Sequence, residues 1–76
     1  MDAIEERIYK ILREKFNAEP ERSMQLTALG IDSIGMAELT FDIEKAFSIR
    51  VDEDILSIES VGELIEYIRV KQAAVS

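Results

Sequence analysis

Apolar residues recur at helical spacing in three segments of the chain. In the first segment they follow the positions i, i+4, i+7, i+8 and i+12 of one helix face: Ile4, Ile8, Ile11, Leu12 and Phe16. This pattern predicts a first helix over residues 3–16. Asp2 and Glu5 have the spacing of a capping box at its start. Asn17, followed by Pro20, is expected to end it.

A long connection over residues 17–32 precedes the second helical segment. A stretch of sixteen residues without regular structure is unusual in a compact domain. Three apolar residues can anchor it to the core: Met24, Leu26 and Leu29. Thr27 is expected to cap a single helical turn before Gly30, and Gly30 suits a tight turn or a positive φ.

The second helix is predicted over residues 33–47, with Asp32 as its N-cap. More than half of it is apolar, so we expect it to be central. One side holds Ala37, Thr40, Phe41, Glu44 and Phe47, and the apolar surface is widened by Ile34, Met36, Leu39 and Ile43. Four aromatic residues are expected in the core: Phe16, Phe41, Phe47 and Tyr67.

The C-terminal part predicts a loop and two further helices. Residues 48–51 have no second strand to pair with, so we expect a loop. A short third helix follows from Glu53 to Leu56 or Ser57, and a fourth covers residues 61–72. Ser60 and Glu63 match a capping box at the start of the fourth helix. Its predicted buried face is Val61, Leu64, Ile65 and Ile68, with Tyr67 as a further candidate, and residues 73–76 are expected to fray.

Composition narrows the chemistry available to this chain. Its 76 residues include neither cysteine nor histidine, which excludes cysteine-rich metal sites and histidine-based catalysis. The net charge of −7 is uneven, because residues 1–22 hold six acids and five bases while residues 23–76 hold ten acids and four bases. Such a field repels nucleic acid and anionic membranes and attracts basic protein surfaces. The alternative is an acidic surface that only maintains solubility.

The N-terminal residues show no targeting signal. Residues 1–6 are acidic and lack the basic start and apolar run of a signal peptide. The apolar runs are also far too short to cross a membrane. We therefore expect a cytoplasmic protein.

Ser33 stands where the long connection becomes the second helix, directly after an acid. A serine at this position is most often a cap or a solvated residue. Three features favour a functional role. Gly30 allows the backbone to turn and present the serine, the helix N-terminus favours an attached phosphate, and an acidic, apolar helix follows at once.

The run Leu29-Gly30-Ile31-Asp32-Ser33-Ile34 resembles the Leu-Gly-x-Asp-Ser-Leu attachment site of acyl carrier proteins. The resemblance continues through Glu38-Leu39, Ile43-Glu44, Phe47, Val51-Asp52-Glu53-Asp54, Ser60-Val61 and Ile65-Glu66-Tyr67-Ile68, so it covers nearly the whole chain. It implies one all-α domain over residues 1–76, a four-helix carrier-protein bundle. Three of its helices are longer, helix III is short, and a long loop joins helices I and II.

The resemblance also implies a function that is not enzymatic. A phosphopantetheinyl transferase would move 4′-phosphopantetheine from coenzyme A to the Ser33 hydroxyl, and Ser33 and Asp32 would form the cofactor-binding site. The thiol of this group would carry acyl intermediates as thioesters to loading, elongating or transferring enzymes of fatty acid, polyketide or related biosynthesis. The resemblance implies recognition of basic patches on these partners by Glu38, Glu44, Asp52, Glu53 and Asp54. We expect a monomer that binds neither nucleic acid nor membrane.

Several residues of the second helix depart from the pattern of fatty-acid carriers: Ile34, Gly35, Met36, Ala37, Lys45 and Ala46. Gly35 stands where an acid is usual, so we interpret it as a lost surface charge that also weakens the helix. These departures favour a dedicated carrier of a specialised pathway. The alternatives are an aminoacyl or peptidyl carrier, and an acidic helical interaction module that is never modified.

The start of the third helix partly resembles a calcium-binding loop. Asp52, Asp54 and Glu63 have part of the spacing of an EF-hand loop. However, Leu56 and Ser57 stand where that loop needs an oxygen ligand and a glycine. We therefore predict no metal site, although loose divalent-ion binding by the acidic cluster stays open.

Overall fold

The computed structural model describes residues 3–75, which form three α-helices and two 3-10 turns. The helices are α1 (Ala3–Phe16), α2 (Ser33–Phe47) and α3 (Val61–Val75), and the 3-10 turns are Leu26–Leu29 and Glu53–Ser57. Within the described residues, extended pairing is limited to an isolated antiparallel bridge between Gln25 and Ser60. The all-α class is confirmed, and the bounds of the first two helices agree with the predicted ones. The predicted third helix is a 3-10 turn, so the bundle has three α-helices.

The buried side of α1 agrees with the sequence pattern. Ile8 and Leu12 are fully buried. Phe16 is half-buried and packs against the core. Asn17 ends the helix with a φ of 53°, in the left-handed region that asparagine tolerates better than most residues. The predicted capping role of Asp2 lies outside the described residues.

Helix α3 supplies the largest continuous part of the core. Its predicted buried residues are all fully buried: Val61, Leu64, Ile65 and Ile68. The Glu63 N–H donates to Ser60 Oγ at 3.2 Å, which confirms the predicted cap. The predicted end at residue 72 is wrong, because the helix continues to Val75. Two alanines follow Gln72, and alanine is the strongest helix former.

The rotation of α2 differs from the prediction. Its buried residues are Gly35, Leu39 and Ile43. Phe41 is 61% exposed and Ile34 is 71% exposed, so placing them in the apolar core surface was wrong. A helix that is more than half apolar has no single apolar stripe, and its sequence therefore does not determine which side faces the core.

The connection between α1 and α2 is held against the start of α3 by backbone hydrogen bonds. They run from the Leu26 N–H to the Glu59 oxygen (2.7 Å), from the Val61 N–H to the Met24 oxygen (3.0 Å) and from the Gly62 N–H to the Arg22 oxygen (2.9 Å). A Cβ atom on residue 62 would lie 3.1 Å from the Arg22 oxygen. Glycine at this position therefore permits the close approach of the two backbones.

The first 3-10 turn lies within this connection. Gly30 ends it with a φ of 81°, as the sequence suggested. The expected cap by Thr27 is wrong, because Thr27 lies inside the turn. Gln25 occupies the N-cap position, and its side chain makes no capping hydrogen bond. Burial of Leu26 holds the turn instead.

Two substitutions on α2 test its rotation. Ile43→Ala should lower the free energy of unfolding by about 2–5 kcal/mol, because Ile43 is fully buried. Phe41→Ala, two positions away, should change it by less than about 1 kcal/mol. Urea denaturation of both variants measures the difference, and equal losses would contradict the observed rotation.

Candidate functional site

Ser33 is the first residue of α2 and is exposed. Asp32 precedes it in an extended conformation, and its carboxylate accepts the Gly35 N–H at 2.8 Å. The Asp32 backbone oxygen accepts the Met36 N–H, also at 2.8 Å. The predicted N-cap is therefore confirmed. It holds the serine at a fixed point on the surface.

The first turn of α2 can hold a phosphate ester at Ser33. The N–H groups of Ser33 and Ile34 are too near the helix start to have an acceptor within the helix. Together with the positive end of the helix dipole, they favour a negative group on the serine oxygen. The chain contains no histidine or cysteine that could activate the hydroxyl. The arrangement thus suits an attachment point and not a nucleophilic catalyst.

The segment before Ser33 is fixed by burial. Ile31 is buried, and its N–H donates to the Leu26 oxygen at 3.3 Å. The Gly30 N–H donates to the Thr27 oxygen at 3.0 Å. This segment therefore turns sharply and leads from a buried residue to an exposed serine within two positions.

Gly35 is buried, so reading it as a lost surface acid was wrong. A Cβ atom at this position would lie 3.2 Å from Phe16 Cε1 and 3.4 Å from Asp32 Oδ1. The glycine lets α1 approach the first turn of α2 closely. An acid introduced here would meet the Phe16 ring and the capping carboxylate, and would not lie on a partner-facing surface.

The acids that the sequence assigned to partner recognition separate into two groups. The carboxylates of Glu38, Glu53 and Asp54 are exposed and form no hydrogen bond or ion pair within residues 3–75. Glu44 is half-buried and accepts the Val51 N–H at 2.9 Å, so it holds the loop after α2. Asp52 is also engaged within the chain.

Asp52 joins the second 3-10 turn to α3. The Tyr67 hydroxyl donates to Asp52 Oδ1 at 2.6 Å, and Lys71 Nζ donates to Oδ2 at 2.5 Å. The Asp52 N–H in turn donates to the Tyr67 hydroxyl oxygen at 3.0 Å. The hydrogen bond from Lys71, followed by that from Tyr67, lowers the pKa of Asp52 to about 2. Sequence reasoning missed Tyr67 and Lys71, although their i, i+4 spacing on one helix side offered a signal.

No cluster of three or more acids within residues 3–75 is arranged to hold a metal ion. No helix in this range has the length and apolar character needed to cross a membrane.

Comparison with known proteins shows which family the chain belongs to. A family model described as a phosphopantetheine attachment site matches residues 6–68. The acyl carrier protein of Caulobacter vibrioides is 33% identical over 78 aligned positions, covering 96% of this chain and all of that protein. The chain belongs to the acyl carrier protein family. It is therefore a carrier and not an enzyme, and its prosthetic group is 4′-phosphopantetheine.

Two further comparisons place this carrier among its relatives. Nodulation protein F of Rhizobium leguminosarum bv. trifolii is 35% identical over 49 residues, which cover 59% of this chain and 53% of that protein. The crystal structure of an acyl carrier protein from Thermotoga maritima superposes with a TM-score of 0.82 at 22% identity, covering 97% of this chain and 96% of that one. This second likeness shows a shared fold. Members of the family interact with a phosphopantetheinyl transferase and with biosynthetic enzymes.

The network around Asp52 predicts an acid-sensitive stability. The pKa of Asp52 is about 2 in the folded chain and 3.8 in its unperturbed state, so its contribution is present above about pH 4 and is lost as pH falls towards 2. Asp52→Asn should therefore lower the urea midpoint at pH 7, and the difference from wild type should shrink between pH 4 and 2. Glu53→Gln is the control, because it removes a charge from the same turn without touching Tyr67 or Lys71. A pH-independent difference for Asp52→Asn would contradict the network.

Proposed function

We propose that Ser33 carries the 4′-phosphopantetheine group and that residues 1–76 act as one carrier domain. The observation that supports this most strongly is the exposed Ser33 hydroxyl at the capped N-terminus of α2. Among the serines within residues 3–75, Ser33 alone is the first residue of an α-helix. It also lies inside the region matched by the attachment-site family.

The protein's own residues hold the attachment point. Asp32 fixes the first turn of α2, and the free N–H groups of that turn stabilise the negative phosphodiester. When bound, the prosthetic group supplies a thiol, which this chain lacks because it has no cysteine. That thiol would hold acyl groups as thioesters for delivery to partner enzymes.

Partners are recognised along one exposed face of α2, defined here by Ile34, Glu38, Phe41 and Lys45. These residues follow the positions i, i+4, i+7 and i+11, so they lie on one side of the helix. Exposed Ile34 and Phe41 fit an apolar depression, and Glu38 fits a basic group beside it. Glu53 and Asp54, exposed in the second 3-10 turn, offer two further carboxylates to partners.

The pathway is a specialised one, such as polyketide or modified-lipid biosynthesis. This proposal rests on the exposed face of α2. There, Lys45 Nζ lies over the Phe41 ring, 5.3 Å from the ring centroid. A basic residue there interrupts the acidic surface offered to fatty-acid enzymes. The similarity to nodulation protein F is compatible with a dedicated carrier.

Mass spectrometry tests the attachment residue directly. Incubation with coenzyme A and a broad-specificity phosphopantetheinyl transferase should add one group to the wild type and none to Ser33→Ala. Ser23→Ala, at another exposed serine, should be modified like the wild type. Modification of Ser33→Ala would refute the site. An unmodified wild type would favour an interaction module that carries no group.

Charge reversal tests partner recognition. Glu38→Lys should slow association with the transferase several-fold at low salt, because an exposed charge in the contact region steers association. The difference should decrease as salt is raised. Glu19→Lys changes the net charge equally at an exposed position in the connection and serves as the control. Equal rates for the two variants would contradict a local role of Glu38.

A comparison of elongation rates tests the specialised pathway. The malonyl-loaded carrier should be extended at least about tenfold more slowly by fatty-acid elongation enzymes than a housekeeping carrier, because its contact surface differs in charge. The same phosphopantetheinyl transferase should attach the prosthetic group to both carriers. Equal elongation rates would assign this protein to ordinary fatty acid synthesis.

A further inference from the structure

A groove between α1 and α2 is lined by four of the nine basic residues of the chain: Arg7, Lys10, Lys15 and Lys45. Only two acids, Glu14 and Asp42, line it with them. The four bases and two acids leave a local charge of +2, whereas the whole chain carries −7. We call this set of four bases the basic groove.

The cations of the basic groove are largely unneutralised. Lys15 pairs with Asp42 at 2.9 Å. Arg7, Lys10 and Lys45 form no ion pair with a carboxylate within residues 3–75, although the chain has sixteen acids. Acids elsewhere do pair, as Asp52 does with Lys71. The fold therefore leaves positive charge concentrated at one place on an otherwise acidic protein.

The basic groove is continuous with the exposed face of α2, because Lys45 belongs to both. Lys45 lies twelve positions after Ser33, which is about 18 Å along a helix. A partner contact of standard size covers about 800 Å² of each protein, or a radius of about 16 Å. A contact of this size centred near Phe41, which lies about 12 Å after Ser33 and about 6 Å before Lys45 along the helix, covers both residues and brings its rim to the groove.

We propose that the basic groove receives a carboxylate-bearing surface of the phosphopantetheinyl transferase. This inference rests on the proposed function of Ser33. The transferase meets an acid at Glu38, an aromatic ring at Phe41 and bases at Lys45 and Lys10, in that order along its contact. A surface with charges of both signs is recognised in one orientation, whereas a uniformly acidic one can be approached in several. The small local charge and the strongly negative chain argue against nucleic acid or an anionic membrane as the occupant.

Paired charge reversals test this proposal with a matched control. Arg7→Glu/Lys10→Glu reverses two exposed bases of the groove, and Arg13→Glu/Arg50→Glu reverses two exposed bases outside it. Both pairs change the net charge equally. For the transferase reaction, the groove pair should raise KM about tenfold with kcat within about twofold, and the control pair should leave both within about twofold.

Two neutral substitutions and a cross-linking experiment distinguish loss of the groove charge from misfolding. Arg7→Gln/Lys10→Gln should raise KM about threefold, and circular dichroism should show unchanged helix content. A carbodiimide should couple the amines of Lys10 or Lys45 to transferase carboxylates, as amide bonds identified by mass spectrometry. Equal KM values for the groove and control pairs, or no such cross-link, overturn the groove proposal alone. A wild type that is not modified at Ser33 overturns the proposed function and the groove proposal with it.

Discussion

The position of Ser33 depends on the backbone pairing that joins the α1–α2 connection to the start of α3. A free connection of this length would sample many conformations, and ordering it costs conformational entropy. The hydrogen bond from the Leu26 N–H to the Glu59 oxygen, at 2.7 Å, fixes its middle against the core. Gly62 makes the pairing possible, because any side chain there would press on the Arg22 oxygen. The position of Ser33, the proposed attachment point, is therefore determined by residues distant from it in sequence.

A carrier needs an attachment point that is both rigid and open. The cap at Asp32 and the close contact of Gly35 with Phe16 provide the rigidity. Exposure of Ser33 provides the access. Because the chain offers no imidazole or thiol to this hydroxyl, the chemistry of loading and unloading is left to partner enzymes. The surface around the serine then decides which enzymes can act.

The sequence predicted both bounds of α1 and α2 and the start of α3, because the signals at those positions are local. Asp32 at the start of α2 and Ser60 at the start of α3 each satisfy backbone N–H groups within the next turn. The rotation of α2 was not predictable in this way. Ile34 and Phe41 have the same hydrophobic character as Ile43, and only the packing of α1 and α3 decides which of them is buried.

The net charge was predictable from the sequence, but the distribution of charge over the protein surface was not. A sequence shows how many acids a chain has, whereas pairing joins residues as far apart as Asp52 and Lys71. Once such pairs and the backbone contact of Glu44 are formed, the free acids near α2 are few. What a partner meets is then a mixed surface, with Glu38 nearer the serine and Lys45 towards the other end of the helix. Opposite charges at the two ends cannot be exchanged by rotating a partner, so in the proposed contact their order along α2 would select orientation as well as affinity.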